Sequence, residues 1–117
     1  MRRHVGRVQD LPPGSRKIVS LGGRAGIGVF NVNGKFHAVK NVCPHQGGPL
    51  CKGRLRPLVR SSGPYHVTWE REGEILKCPW HNWEFDLKTG RALYDPRLRV
   101  RAYRVTVEGD DIFLHLS

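Results

Sequence analysis

Two short elements of this 117-residue chain, Cys43-Pro44-His45 and Cys78-Pro79-Trp80-His81, each place a cysteine and a histidine within reach of one point. Together they supply two thiolates and two imidazoles. That donor set fills the protein-facing positions of an iron–sulfur cluster of mixed ligation, two of them sulfur-bound and two nitrogen-bound. The chemistry implied is electron transfer. A proline follows each cysteine, fixing φ and stiffening the loop. Gly47, Gly48 and Gly53 permit tight turns around the first pair. Backbone N–H groups released from strand pairing can then point at the sulfurs and stabilise their negative charge.

Competing chemistries use the same residue types. A structural zinc site accepts two cysteines and two histidines, but common zinc fingers place both cysteines before both histidines, whereas here they interleave. A cluster held by four cysteines is excluded, because the chain has three. The third, Cys51, reads as a small apolar residue beside the first loop. His4, His37, His66 and His115 show no spacing toward a carboxylate that would build a second, mononuclear iron site of two histidines and a carboxylate. Trp69 reads as core, and Trp80 and Trp83 as shields against water.

The elements that must position these loops read as strands. Val29–Val32 and Lys35–Val39 flank Asn33-Gly34, a dipeptide suited to a turn in which both central residues take positive φ. A second hairpin is expected to join Tyr65–Glu70 to Glu74–Lys77 through Glu72-Gly73. A third runs from about Leu98 to Val107, turns at Gly109-Asp110 and returns through Ile112, Leu114 and Leu116. Its first strand changes phase between Val100/Ala102 and Val105/Val107, which predicts a bulge near Tyr103. Leu55–Pro64 has no periodicity and reads as the most mobile segment. Arg97, Arg99 and Arg101 alternate with Leu98 and Val100, as an exposed strand face should. No α-helix is expected. Short strands with regular turn punctuation predict an all-β fold, an antiparallel sandwich or barrel.

At this length one domain, 1–117, is expected, with ligand loops at about 43–53 and 78–90. No run of 18 apolar residues is present, so no membrane-spanning helix is expected. The start Met1-Arg2-Arg3-His4 lacks the apolar stretch of an export signal, and a cytoplasmic location is expected. Net charge is +10, and it is lopsided: residues 1–60 carry twelve basic side chains and one acid, Asp10. A basic half steers toward an acidic partner surface, whether protein, nucleic acid or anionic lipid. Lys52, Arg54, Arg56 and Arg60 directly follow the first loop and could form part of that docking surface.

The runs Cys43-Pro-His-Gln-Gly-Gly-Pro-Leu50 and Cys78-Pro-Trp-His-Asn-Trp-Glu-Phe-Asp-Leu-Lys-Thr-Gly90 resemble the Rieske [2Fe–2S] family, in particular its small soluble ferredoxins. The resemblance extends from about Val5 to Leu116. It implies one [2Fe–2S] cluster per chain, with Cys43 and Cys78 on one iron and His45 and His81 on the other. It also implies a β-sandwich base carrying a small cluster-binding subdomain made of the two loops.

As a function it implies one-electron transfer from a reductase, flavin-dependent in such systems, to an oxygenase or similar acceptor, without a complete enzyme in this chain. An accessory small subunit of a reductase such as nitrite reductase is the alternative, and a basic nucleic-acid-binding redox sensor the weaker one. The sequence departs from the family in three ways. The 32 residues between His45 and Cys78 are more than usual, which suggests an insertion at about 55–64. Asn82 stands where glycine is common, and Trp80 replaces the loop cysteine that forms a disulfide in respiratory relatives. Those high-potential relatives also place serine and tyrosine hydroxyls where this chain has Trp83 and Phe85, so fewer donors reach the cluster.

Overall fold

The strand Ile27–Val32 (β3) is buried along its whole length. It is buried because it lies in the middle layer of the fold, apolar on both faces. Ile27 and Val29 face one hydrophobic cluster, with Val5, Val19, Ile112 and Leu114. Phe30 and Val32 face the other, with Val39, Leu76, Phe85 and Leu87. A strand covered on both faces reads as a nearly continuous apolar run. Full burial of each such side chain contributes about 1.5–3 kcal/mol relative to exposure.

The structure is a computed structural model that describes residues 2–20, 26–42, 49–63, 66–79, 83–93, 95 and 97–116, with backbone alone at 56–63 and 66–73. Among these residues every sheet pairing is antiparallel, and the helical turns are two short 3-10 segments, Val8–Asp10 and Leu50–Lys52. The remaining strands are β1 (Arg2–Arg7), β2 (Arg16–Val19), β4 (Lys35–Lys40), β5 (Arg54–Gly63), β6 (His66–Lys77), β7 (Glu84–Asp86), β8 (Ala102–Tyr103), β9 (Val105–Glu108) and β10 (Asp111–His115). They form three sheets, ordered β1-β10-β9, β2-β3-β4-β8 and β5-β6-β7. The four-stranded sheet is the middle layer; β5-β6-β7 is the small sheet that leads into the second cysteine–histidine loop.

The expected Asn33-Gly34 hairpin is present. Asn33 has φ 53° and Gly34 φ 91°, and Val32 pairs with Lys35. The Gly34 N–H also donates to Asn31 Oδ1 at 2.8 Å, while Asn31 Nδ2 donates to the Leu11 carbonyl at 2.8 Å. The turn at Gly109-Asp110 is present as well, with Asp111 opposite Glu108 and Ile112 and Leu114 fully buried. Arg97, Arg99 and Arg101 are exposed while Val100 is buried, but the expected strand face is corrected: 97–101 lie outside the named strands, with one isolated bridge from Arg99 to Arg91, and the strand begins at Ala102.

Three further expectations are corrected. Glu72-Gly73 does not reverse the chain; both residues lie inside the continuous strand β6. There the register passes from Arg56 opposite Ile75 to Leu58 opposite Glu70, so residues 71–74 bulge opposite Pro57. Proline has no N–H to give the ladder, which is why the pairing slips at that point. The stretch 55–63 is not irregular but forms strand β5, paired with β6; Pro64 lies outside the described residues. A second register shift between Ser61 and Gly63 disrupts the alternation further, so period-2 reading could not find the strand. Finally, the phase change near Tyr103 is a change of sheet. Ala102–Tyr103 pair with β4, the strand is interrupted at Arg104, and Val105–Glu108 pair with β10 in the outer sheet.

Candidate metal centre

The second cysteine–histidine element sits at the tip of the β6–β7 hairpin. Ile75 pairs with Asp86, Leu76 with Phe85 and Lys77 with Glu84. One step beyond, the Cys78 N–H donates to the Trp83 carbonyl at 2.7 Å. That bond closes the base of the loop, so residues between 78 and 83 leave and re-enter the sheet at one fixed point. Cys78 is a free thiol, 1% exposed, packed in the cluster that contains Leu76 and Phe85. Trp83 packs half-buried against the same cluster. Pro79 is exposed.

The first element connects β4 to the 3-10 turn Leu50–Lys52. Its base is also pinned: the Cys51 N–H donates to Asn41 Oδ1 at 2.8 Å, and the Asn41 N–H donates to the Gly26 carbonyl at 3.1 Å. Asn41 is 8% exposed, so this bond is shielded from competing water. Asn41 is not singled out by sequence, although an asparagine two residues ahead of a candidate ligand cysteine is a residue type that ties loop backbone.

The two bases meet at Gly53. Its N–H closes the 3-10 turn on the Leu50 carbonyl at 2.9 Å. A Cβ built on Gly53 would overlap the carbonyl of Lys77, the residue before Cys78. Gly53 has φ −75°, which any residue can adopt. The expected role as a flexible turn is therefore corrected: close backbone approach, not left-handed geometry, requires glycine here.

Of the four candidate ligands, Cys78 is described as above. Cys43, His45 and His81 lie outside the described residues, as do Pro44, Gly47, Gly48, Trp80 and Asn82. Among the described residues no group of three or more histidine, cysteine or acidic side chains gathers for a metal. The remaining histidines are occupied elsewhere or lie apart. His4 Nε2 is 2.9 Å from the Asp111 carboxylate and its ring meets Phe113 edge-on. His115 Nε2 is 2.7 Å from Thr106 Oγ1, and burial lowers the pKa of His37. His66 begins β6.

Cys51 is fully buried, with Sγ 3.4 Å from the Val39 carbonyl. Across from it is Gly28, where a Cβ would stand 2.5 Å from Cys51 Sγ. Desolvation raises the Cys51 pKa from 9.0 to about 12. The raised value means the folded chain holds this proton more tightly than the unfolded chain. The stability it contributes is complete below pH 9 and is lost between pH 9 and about pH 12. Native protein at pH 8 is therefore expected to leave Cys51 unmodified by iodoacetamide, with labelling appearing only on denaturation; mass spectrometry of the digest checks this. Rapid labelling in the native state would contradict the burial.

Residues 2–104 match the family model described as the Rieske [2Fe–2S] domain. The chain belongs to that family. Its cofactor is accordingly a [2Fe–2S] cluster. Over 110 residues, 93% of this chain and 88% of the relative, it is 32% identical to the 3-phenylpropionate/cinnamic acid dioxygenase ferredoxin subunit of Shigella boydii serotype 4 (strain Sb227). Two solved structures share the fold. The ferredoxin of carbazole 1,9a-dioxygenase from Nocardioides aromaticivorans IC177 superposes with a TM-score of 0.73 at 25% identity, covering 97% of this chain and 95% of that one. A chain assigned as the NADH-dependent nitrite reductase small subunit from Mycobacterium tuberculosis gives 0.72 at 25% identity, covering 97% and 93%.

The described part of the site fits the cluster. The Cys78 thiol is buried, outside any disulfide, and carried on a loop whose base is fixed. Thiolate and imidazole are the donors that such a centre takes. Among the described residues no helix is long and apolar enough to cross a membrane.

Proposed function

We propose that this chain is a one-electron carrier that takes electrons from a flavin-dependent reductase and delivers them to an oxygenase in the cytoplasm. Cys43 and Cys78 would hold one iron of the cluster and His45 and His81 the other. The observation that carries this reading is the 32% identity, over 93% of the chain, to a dioxygenase ferredoxin subunit. The cluster supplies the one-electron chemistry; the chain supplies ligation, burial and a docking face. Pinned loop bases serve that task, because little reorganisation of the ligands then accompanies each change of charge. Residues 1–117 form one domain in this reading, with ligand loops at about 43–53 and 78–90.

Donor counting sets the potential. Phe85 is 1% exposed in the hydrophobic core group that also holds Cys78, and Trp83 packs half-buried against that group; the Phe85 side chain carries no hydrogen-bond donor at all. With fewer hydroxyl donors to the sulfurs, the more negative reduced state is stabilised less. Rieske centres span roughly −150 to +300 mV, and a midpoint in the lower half of that range is expected. Protein-film voltammetry measures it, and a midpoint above about +100 mV would contradict the donor count.

A second reading, an accessory small subunit of a nitrite reductase, is favoured by the similarity to the Mycobacterium tuberculosis chain. Affinity capture from the source cell separates the two. An oxygenase or a separate flavin reductase in the eluate supports the carrier; a large reductase subunit in fixed stoichiometry overturns it. On the basic side of the chain, Lys52 and Arg54 are exposed and suit an acidic partner surface; the side chains of Arg56 and Arg60 are not described.

A further inference from the structure

We propose that Arg16 is a positioning residue for the iron–sulfur centre. From β2 it clamps the return of the first ligand loop against the strand that leads into the second, and its cation favours the reduced cluster. The inference rests on the ligand assignment given under Proposed function.

Arg16 Nη1 donates to the Cys51 carbonyl at 2.9 Å and also to the Gly53 carbonyl. Its guanidinium carbon lies 5.1 Å from the ring centroid of Phe30, its cross-strand partner, which is fully buried. Stacking holds the plane while the two bonds fix its edge. Both peptide groups of Cys51 are thereby held: Asn41 accepts its N–H and Arg16 donates to its carbonyl. The second carbonyl that Arg16 grips belongs to Gly53, which packs so near the Lys77 backbone that a Cβ there would overlap its carbonyl. The contact sequence runs Arg16, Gly53, Lys77 and then the ligand Cys78. Spacing between the two loops thus depends on one arginine remote in sequence from both.

Charge adds a second effect. Arg16 forms no ion pair among the described residues; what it meets is two carbonyls and a ring. A half-buried, unneutralised cation is screened less than an exposed one. Reduction adds one negative charge to the cluster, so this cation raises the midpoint. Arg54 provides a control. It lines the same cleft of about 420 Å³ but is exposed, and its side chain makes no hydrogen bond or ion pair among the described residues.

The test compares holo-protein carrying Arg16→Gln, Arg16→Lys or Arg54→Gln with wild type. Three readouts are taken: bleaching of cluster absorbance under chelator, midpoint potential, and the paramagnetic resonance line shape of the reduced state. Loss of charge-assisted bonds worth about 1.5–3 kcal/mol is about tenfold or more in rate. Arg16→Gln is expected to bleach about tenfold faster or more, with a lower midpoint and a shifted line shape. Arg16→Lys should restore the midpoint and bleach at an intermediate rate, and Arg54→Gln should match wild type in these three readouts, none of which involves a partner protein.

A merely structural arginine would lower the melting temperature of the apo-chain while leaving all three readouts of Arg16→Gln unmoved, and that overturns the proposal. So does a midpoint shift in Arg54→Gln as large as that in Arg16→Gln. Should Arg16→Gln not fold, Arg16→Lys decides: wild-type bleaching and line shape in that variant reject the clamp. A wild-type chain that takes up no cluster defeats the ligand assignment and Arg16 together, whereas loaded wild type indistinguishable from Arg16→Gln defeats Arg16 alone.

Discussion

Gly53→Ala is expected to lower the stability of the apo-chain by about 3 kcal/mol or more and to prevent full loading with iron. The added methyl group would stand well inside contact distance of the Lys77 carbonyl oxygen and 2.7 Å from its carbon. Both are backbone atoms, so no rotamer change relieves the overlap. Either the 3-10 turn Leu50–Lys52 or the end of β6 must move. Overpacking that shifts backbone typically costs about 1–3 kcal/mol, and this overlap is placed at the upper end or beyond. Whole domains are stable by only about 5–15 kcal/mol, so the loss is a large fraction. Urea denaturation of apo-protein and iron analysis after reconstitution measure the two effects. A Gly53→Ala protein with wild-type midpoint in urea and full iron content would show that the loop bases do not meet as described.

Cysteine replacement should split the three thiols into two roles. Cys78→Ser is expected to abolish cluster binding, leaving iron and sulfide near background, because a hydroxyl is a poor ligand for the ferric pair. Cys51→Ala, by contrast, is expected to keep a full cluster. Cys51 is enclosed against Gly28 and the Val39 carbonyl, and its proton is held to about pH 12. Its removal leaves a small cavity and costs stability in the range of about 1–3 kcal/mol. The contrast matters more than either result. Both thiols are buried and free, 0% and 1% exposed, so burial alone cannot tell them apart. Loss of iron from Cys51→Ala, or its retention by Cys78→Ser, would reverse the assignment.

Much of the fold was legible because it depends on local signals. Asn33-Gly34 specified a turn that only positive φ can make, and the alternation of Ile112 and Leu114 marked a half-buried strand. Where the chain left a single regular sheet, those signals failed. Pro57 slips the β5–β6 pairing, so period-2 counting broke down and Glu72-Gly73 looked like a turn. The phase change at Tyr103 was detected but assigned to a bulge; a bulge and a change of sheet produce the same pattern in one strand. Only the partner strands distinguish them.

At the site, residue type was legible and placement was not. Cysteine and histidine announce metal chemistry from composition and spacing. The residues that fix the loops do so by contacts between distant segments: Arg16 with Cys51 and Gly53, and Gly53 with Lys77. Nothing in the neighbourhood of Arg16 marks it apart from the other basic residues of the first half. Gly53 was recognised as special, but for conformational freedom rather than close approach.

Pulsed paramagnetic resonance on the dithionite-reduced, reconstituted chain examines the mixed ligand set most directly. Strong hyperfine coupling to nitrogens of two imidazoles is predicted, with both couplings disappearing only when the histidines are replaced. A reduced cluster whose spectrum carries no imidazole coupling, or a reconstituted protein that stays colourless, would contradict it.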